Sequence, residues 1–144
     1  MGIDAVGKTY PPVEYAVGRE KIREYAEAVH EADPVYLDLE VARAAGHADL
    51  VAPPMFVAVY SRLAVAQPLL DPDVGIDFRR MVHGAQEFEW GQLVLAGDVV
   101  STAATVKEIA ERSGMGFFVI ETVSMNHRGE QVCRGTWTHI VRSN

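Results

Sequence analysis

Residues 30–38 read HEADPVYLD and set three carboxylates, Glu31, Asp33 and Asp38, and the phenol of Tyr36 around Pro34. A carboxylate can serve as general acid or base when its surroundings move its pKa toward the working pH. A tyrosine, with an ordinary pKa near 10, is a poor base at neutral pH. The same residues also suit a solvated helix end followed by an Asx-type turn, so a structural and a chemical reading both stand. Three further stretches carry potential chemistry. Pro53-Pro54-Met55-Phe56 opens a long apolar run, and Pro54 has no N–H to offer. His83-Gly84-Ala85-Gln86 opens a period-two segment with an imidazole. Arg79-Arg80 is the one adjacent basic pair; it suits a phosphate through charge-assisted hydrogen bonds, or is simply an exposed loop pair.

Composition narrows what these groups can act on. With 144 residues, 49% of them hydrophobic, the chain is long enough for one domain with a real core. Its net charge of -7 disfavours nucleic acid and anionic membranes, which attract basic surfaces. The apolar run at residues 50–70 is broken by prolines, Arg62 and Gln67, which predicts a buried helix rather than a membrane span. No basic stretch followed by an apolar one opens the chain, and Cys133 stands alone, so the sequence predicts a cytoplasmic protein with no internal disulfide. No Cys/His grouping has metal-ligand spacing.

The elements that must position these residues follow from periodicity. Residues 10–17 read as a first strand. In the next segment Ile22, Tyr25, Ala26 and Val29 recur at helical spacing, and Asp33-Pro34 is expected to end that helix. A short helix follows and stops at Gly46, a left-handed C-cap. From Pro54 to Leu70 the helix is apolar nearly all round, which predicts enclosure on most sides. Residues 83–92, 98–109, 115–126 and 130–141 then alternate with period two, separated by turn residues. Five strands and one long apolar helix imply an antiparallel sheet wrapped around that helix, an α+β hot-dog arrangement over residues 1–144. The open edge strand predicts a dimer.

HEADPVYLDLEVARAAGHADLVAPPMF resembles the signature of the MaoC-like (R)-specific enoyl-thioester hydratases and dehydratases, G-D-x-N-P-x-H-x-D followed by A-x-x-x-G and A-H-G-M. Asp33-Pro34 falls on the N-P pair, Asp38 on the following Asp, Ala42 and Gly46 on A-x-x-x-G, and residues 52–55 on A-H-G-M. The resemblance implies a dyad that activates one water, yet its Asp position is Glu31 and its His position Tyr36. The family's backbone N–H for the thioester oxygen falls on Pro54. This pattern, with REKIREYAEAV, APPMF, VHGAQEFEW and LAGD, is similar to the non-catalytic subunit of heterodimeric (3R)-hydroxyacyl-ACP dehydratases and its FAS1-like dehydratase relatives.

The resemblance implies fatty acid metabolism, an acyl-CoA or acyl-ACP thioester as ligand, no cofactor, and either a homodimer or a heterodimer with a catalytic hot-dog subunit. Asp33, Pro54, Met55, Phe56, His83 and Gly84 become candidates for contact with the thioester or pantetheine arm, and Arg79 and Arg80 for a carrier phosphate. Other readings remain: a homodimeric acyl-thioester binding protein without chemistry, or an altered hydratase that uses Glu31. A hot-dog thioesterase commonly carries an acid on its central helix, and residues 54–70 contain none.

Overall fold

The computed structural model describes residues 2–143. Its elements are β1 (Val13–Ala16), α1 (Arg19–Ala28), α2 (Leu39–Ala44), α3 (Val57–Tyr60), α4 (Arg62–Leu70), β2 (Met81–Trp90), β3 (Val99–Arg112), β4 (Met115–Met125) and β5 (Gln131–Val141). The five strands form one antiparallel sheet in the order β1-β3-β4-β5-β2. Long strands with alternating burial build it: Val100, Thr102, Ala104 and Val106 of β3 and Phe118 and Ile120 of β4 face inward and are buried. Against that concave face packs α4. Each large apolar side chain moved out of water there contributes about 1.5–3 kcal/mol. Buried hydroxyls on the same face pair with one another, as Thr102 Oγ1 and Ser124 Oγ do at 2.8 Å.

The sequence places α1's end at Asp33-Pro34; the helix in fact stops earlier, at Ala28. His30 adopts a left-handed conformation, φ 61°. The Glu31 N–H donates to Ala26 O and the His30 N–H to Glu27 O, the paired bonds of a Schellman ending. Pro34 instead starts a separate 3-10 turn, Pro34–Tyr36. Gly46, at φ 94°, ends α2 in the same manner, as its position predicts.

The central helix is less enclosed than its composition suggests. Met55 is 48% and Leu63 57% exposed, because the sheet covers one side and leaves a flank open. A 3-10 turn, Pro54–Phe56, leads into α3, and the buried Ser61 interrupts the helix before α4. Its hydroxyl donates back to Val57 O at 2.5 Å, a bond that bends helices.

The N-terminal segment is fastened to the end of α4 by charge. Lys8 Nζ lies 2.6 Å from Asp71 Oδ2 and 2.8 Å from Asp73 Oδ2, and the Tyr10 hydroxyl donates to Asp71 Oδ2 at 2.7 Å. Lys8 foremost, then Tyr10, holds the Asp71 carboxyl down at about 2. Because the folded pKa lies below the unfolded value near 3.9, this stabilisation is complete above about pH 4 and disappears as pH falls toward 2. Denaturant titrations are therefore expected to show Asp71→Asn less stable than the parent at pH 7, with the gap closing near pH 2. A gap independent of pH would mean that Asp71 acts through packing alone.

Candidate functional site

α1, the 3-10 turn Pro34–Tyr36 and the first turn of the central helix meet at one place. Tyr25, a buried-face residue of α1, donates its hydroxyl to Met55 O at 3.0 Å, joining α1 to the helix start. The ring of Phe56 takes three other rings edge-on: Tyr25 at 5.6 Å, Tyr15 at 6.1 Å and Tyr60 at 6.3 Å. Tyr36 is half-buried against the same cluster. Burial first, and then the charge of Glu31, raises the pKa of both Tyr25 and Tyr36; Asp33 adds to the effect at Tyr36. The fold thus brings Glu31, Asp33, Tyr25 and Tyr36 within electrostatic reach of one another beside Pro54, Met55 and Phe56.

This cluster can donate hydrogen bonds through phenols that stay protonated, and it offers a carboxylate. Neutral-pH base chemistry through Tyr36 is closed to it. Asp33 and Asp38 act as caps: Asp33 Oδ1 accepts from Val35 N at 3.1 Å, and Asp38 Oδ1 from the N–H groups of Glu40 and Val41 at 2.9 and 3.2 Å. The Glu31 carboxylate is exposed, with no hydrogen bond or ion pair among the described residues.

Two cavities flank the aromatic cluster. One, of about 250 Å3, lies behind Pro54, with Phe56, Tyr60, Trp90, Leu93 and Val94 in its walls. The other, of about 390 Å3, lies between β1, α1 and the central helix and is lined by Tyr15, Tyr25, Val59, Tyr60 and Leu63 among others. Tyr60 borders both and packs in one cluster with the buried Cys133; burial, foremost, raises the Cys133 pKa to about 11, so the thiol stays protonated. Sequence reasoning did not single out Tyr60 or its place between the two cavities. It missed Tyr25 as well, since helical spacing marks a residue as inward-facing without naming what it meets.

The remaining candidates lie apart. His83 and Gly84 sit at a β-bulge on β2, where the register with β5 shifts. His83 donates from Nε2 to Ala85 O at 3.0 Å and stacks on His139 at 5.2 Å. Together with Trp137 and α4 they line a cavity of about 290 Å3 on the open helix flank. His139 is only 4% exposed, and burial, then His83, lowers its pKa to about 4. Arg79 and Arg80 follow Asp77, whose carboxylate lies 3.3 Å from Arg79 Nε and 3.1 Å from Arg80 Nε. The cavity that Arg80 lines shares no residue with those beside Pro54. Among the described residues no group of His, Cys, Asp or Glu is arranged to hold a metal ion, and no helix is long and apolar enough to cross a membrane.

The Tyr25 bond has a measurable consequence. Tyr25→Phe, which deletes the donor to Met55 O, is expected to lower stability by about 1 kcal/mol. The urea midpoint should fall with an unchanged slope. An unchanged midpoint would show that the bond contributes nothing to anchoring the helix start.

A curled sheet around a helix whose first turn faces a carboxylate-bearing loop is the hot-dog fold of the MaoC-like dehydratases. The chain belongs to the family described as "FAS1-like, dehydratase domain region", which matches residues 4–134. Among its relatives is a UPF0336 protein of Streptomyces coelicolor, 43% identical over 137 residues that make up 94% of this chain and 91% of that one. A UPF0336 protein of Leifsonia xyli is likewise 43% identical, over 94% of this chain and 92% of its own. Among solved structures, the C-terminally truncated HadBC (3R-hydroxyacyl-ACP dehydratase) complex of Mycobacterium tuberculosis contains a chain 30% identical, with TM-score 0.85, matched over 97% of this chain and 99% of that one. A MaoC-like dehydratase is 25% identical with TM-score 0.85; the match covers 99% of this chain but only 44% of that longer protein.

Proposed function

We propose that this chain is the substrate-shaping subunit of a (3R)-hydroxyacyl-thioester dehydratase, or enoyl-thioester hydratase, of cytoplasmic fatty acid metabolism. It acts as one hot-dog domain over its whole length and pairs with a second hot-dog chain that brings the Asp/His dyad. The observation that carries this reading is local. The loop and helix start hold Glu31, Tyr36 and Pro54 together, while the imidazole base and the backbone N–H that the resemblance calls for are both absent. A site whose framework persists without its working groups suits a subunit that binds and a partner that reacts. The HadBC complex, in which a chain of similar fold occurs, supports the pairing.

In this reading Pro54, Met55 and Phe56, with Asp33 in the neighbouring loop, flank an acyl-CoA or acyl-ACP thioester. The cavity behind Pro54 takes part of the apolar chain. His83 and Gly84 lie on the surface toward the partner. Asp77 already holds Arg79 and Arg80, so a carrier phosphate would have to compete with it. Without a partner the chain forms a homodimer. Co-purification from the native cell tests the proposal: a second hot-dog chain with a complete D-x-N-P-x-H segment should accompany this one. Recovery of the homodimer alone would favour an acyl-thioester binding protein without chemistry.

A further inference from the structure

The cavity behind Pro54 has a mouth and a blind end. Pro54, Trp90 and Leu93 are exposed at its opening, whereas Phe56, Val132 and Tyr60 are buried at its inner end. A thioester held beside Pro54 sends its acyl chain inward, and Tyr60 stands where that chain stops. The second cavity, between β1, α1 and the central helix, begins on the other side of the same residue: Tyr60, 3% exposed, lines both. One buried side chain thus separates spaces of about 250 and 390 Å3.

The other boundaries of the first cavity are held by backbone and packing. Residues 91–94 border it as a strap. The N–H groups of Gly91 and Gln92 donate to Val132 O and Gln131 O of β5, both at 3.0 Å, and the Ala52 N–H donates to Val94 O at 2.8 Å. That strap runs so close to β5 that a Cβ on Gly91 would lie 2.1 Å from Gln131 O. Phe56 is held among the rings of Tyr15, Tyr25 and Tyr60. Tyr60 packs with Phe56 and Cys133 in one cluster, and burial, foremost, raises its pKa, so the side chain presents a neutral ring to whatever enters. Shortening Phe56 or Val132 would leave a closed void. Shortening Tyr60 would open a passage, because a second space already lies behind it.

We propose that Tyr60 sets the length of acyl chain this subunit accepts: its ring closes the cavity behind Pro54, so that the ligand is a thioester of a short to medium acyl group. A space of about 250 Å3, set against the roughly 30 Å3 that a water-sized group takes up in a liquid, holds on the order of eight carbons. This deepens the proposed thioester-binding role and rests on it, naming which substrates fit and which residue excludes the rest. The space between β1, α1 and the central helix stays a separate compartment while the ring is in place.

Calorimetric titration of the full chain with hexanoyl-, octanoyl-, decanoyl- and dodecanoyl-CoA, each kept below its micelle concentration, tests this. In the parent chain affinity should rise about fourfold for each added methylene that is buried, up to about eight carbons, and then level off. In Tyr60→Ala the rise should continue, so that dodecanoyl-CoA binds at least about tenfold tighter than it binds the parent. Tyr60→Phe keeps the ring and should keep the break in the series, which separates the wall from the hydroxyl. Should Tyr60→Ala fail to fold, Tyr60→Leu, a smaller deletion, should move the break in the same direction by fewer carbons. A break that stays in place when the ring is removed, or that Tyr60→Phe moves as far, overturns the inference and leaves the proposed function standing, because native co-purification and the activity of the isolated chain test that separately. A chain that binds no acyl-CoA of any length overturns both the wall and the thioester contact on which it rests.

Discussion

Purified alone, the chain is expected to hydrate an (R)-type enoyl thioester barely above the uncatalysed rate. A positioned general base contributes about 10²–10⁴-fold and an oxyanion donor a further 10²–10³-fold. The residues at these two positions supply neither. Tyr36 is half-buried beside Glu31 and Asp33, and both burial and their charges hold its proton on. Pro54, first residue of the turn that opens the central helix, has no hydrogen to donate. Addition of a catalytic hot-dog partner should raise the partner's activity or widen its acyl-chain range. In that complex Glu31→Gln should change turnover little, whereas loss of the partner's Asp or His should abolish it. Glu31 is the group on which the alternative depends, since its carboxylate is exposed and unengaged next to two phenols. Robust hydration by the isolated chain, lost on Glu31→Gln, would make it the working acid or base of an altered site.

Phe56→Ala is expected to be the most damaging single change at the site, destabilising the chain by about 3–5 kcal/mol. Phe56 is 1% exposed and touches the rings of Tyr15, Tyr25 and Tyr60. Its removal would leave a void among side chains held by β1, α1 and the central helix, which cannot all collapse together. The melting temperature should drop by roughly 10 °C or more. Leu63→Ala, on the open flank, is the control and should cost less than about 0.5 kcal/mol in the monomer. Similar losses for the two would mean that the aromatic cluster does not anchor the helix start.

The strands, the central helix and the stop at Gly46 were legible because each is a local property. Burial alternates with period two along β3 and β4, and Gly46 takes the left-handed conformation its type favours. The absence of a donor at Pro54 is fixed by covalent structure and holds in any fold. Of the candidate site, Glu31 and Tyr36 could be named from the sequence, since the resemblance places the family's dyad at these two positions.

Packing decided what spacing could not. A left-handed His30 ended α1 before Pro34 was reached, and the bonds that close the turn are available only once the preceding helix has formed. Asp77 took Arg79 and Arg80 through a turn that the sequence showed only as a loop. His139 lies inside rather than at the surface because inward and outward positions on β5 depend on its register with β2 and β4, and bulges shift that register. Tyr25 reaches Met55 across thirty residues of chain. Residue type and local period determined which groups this protein has and which it lacks; which of them meet was set by contacts between distant segments, whose energies no local stretch contains.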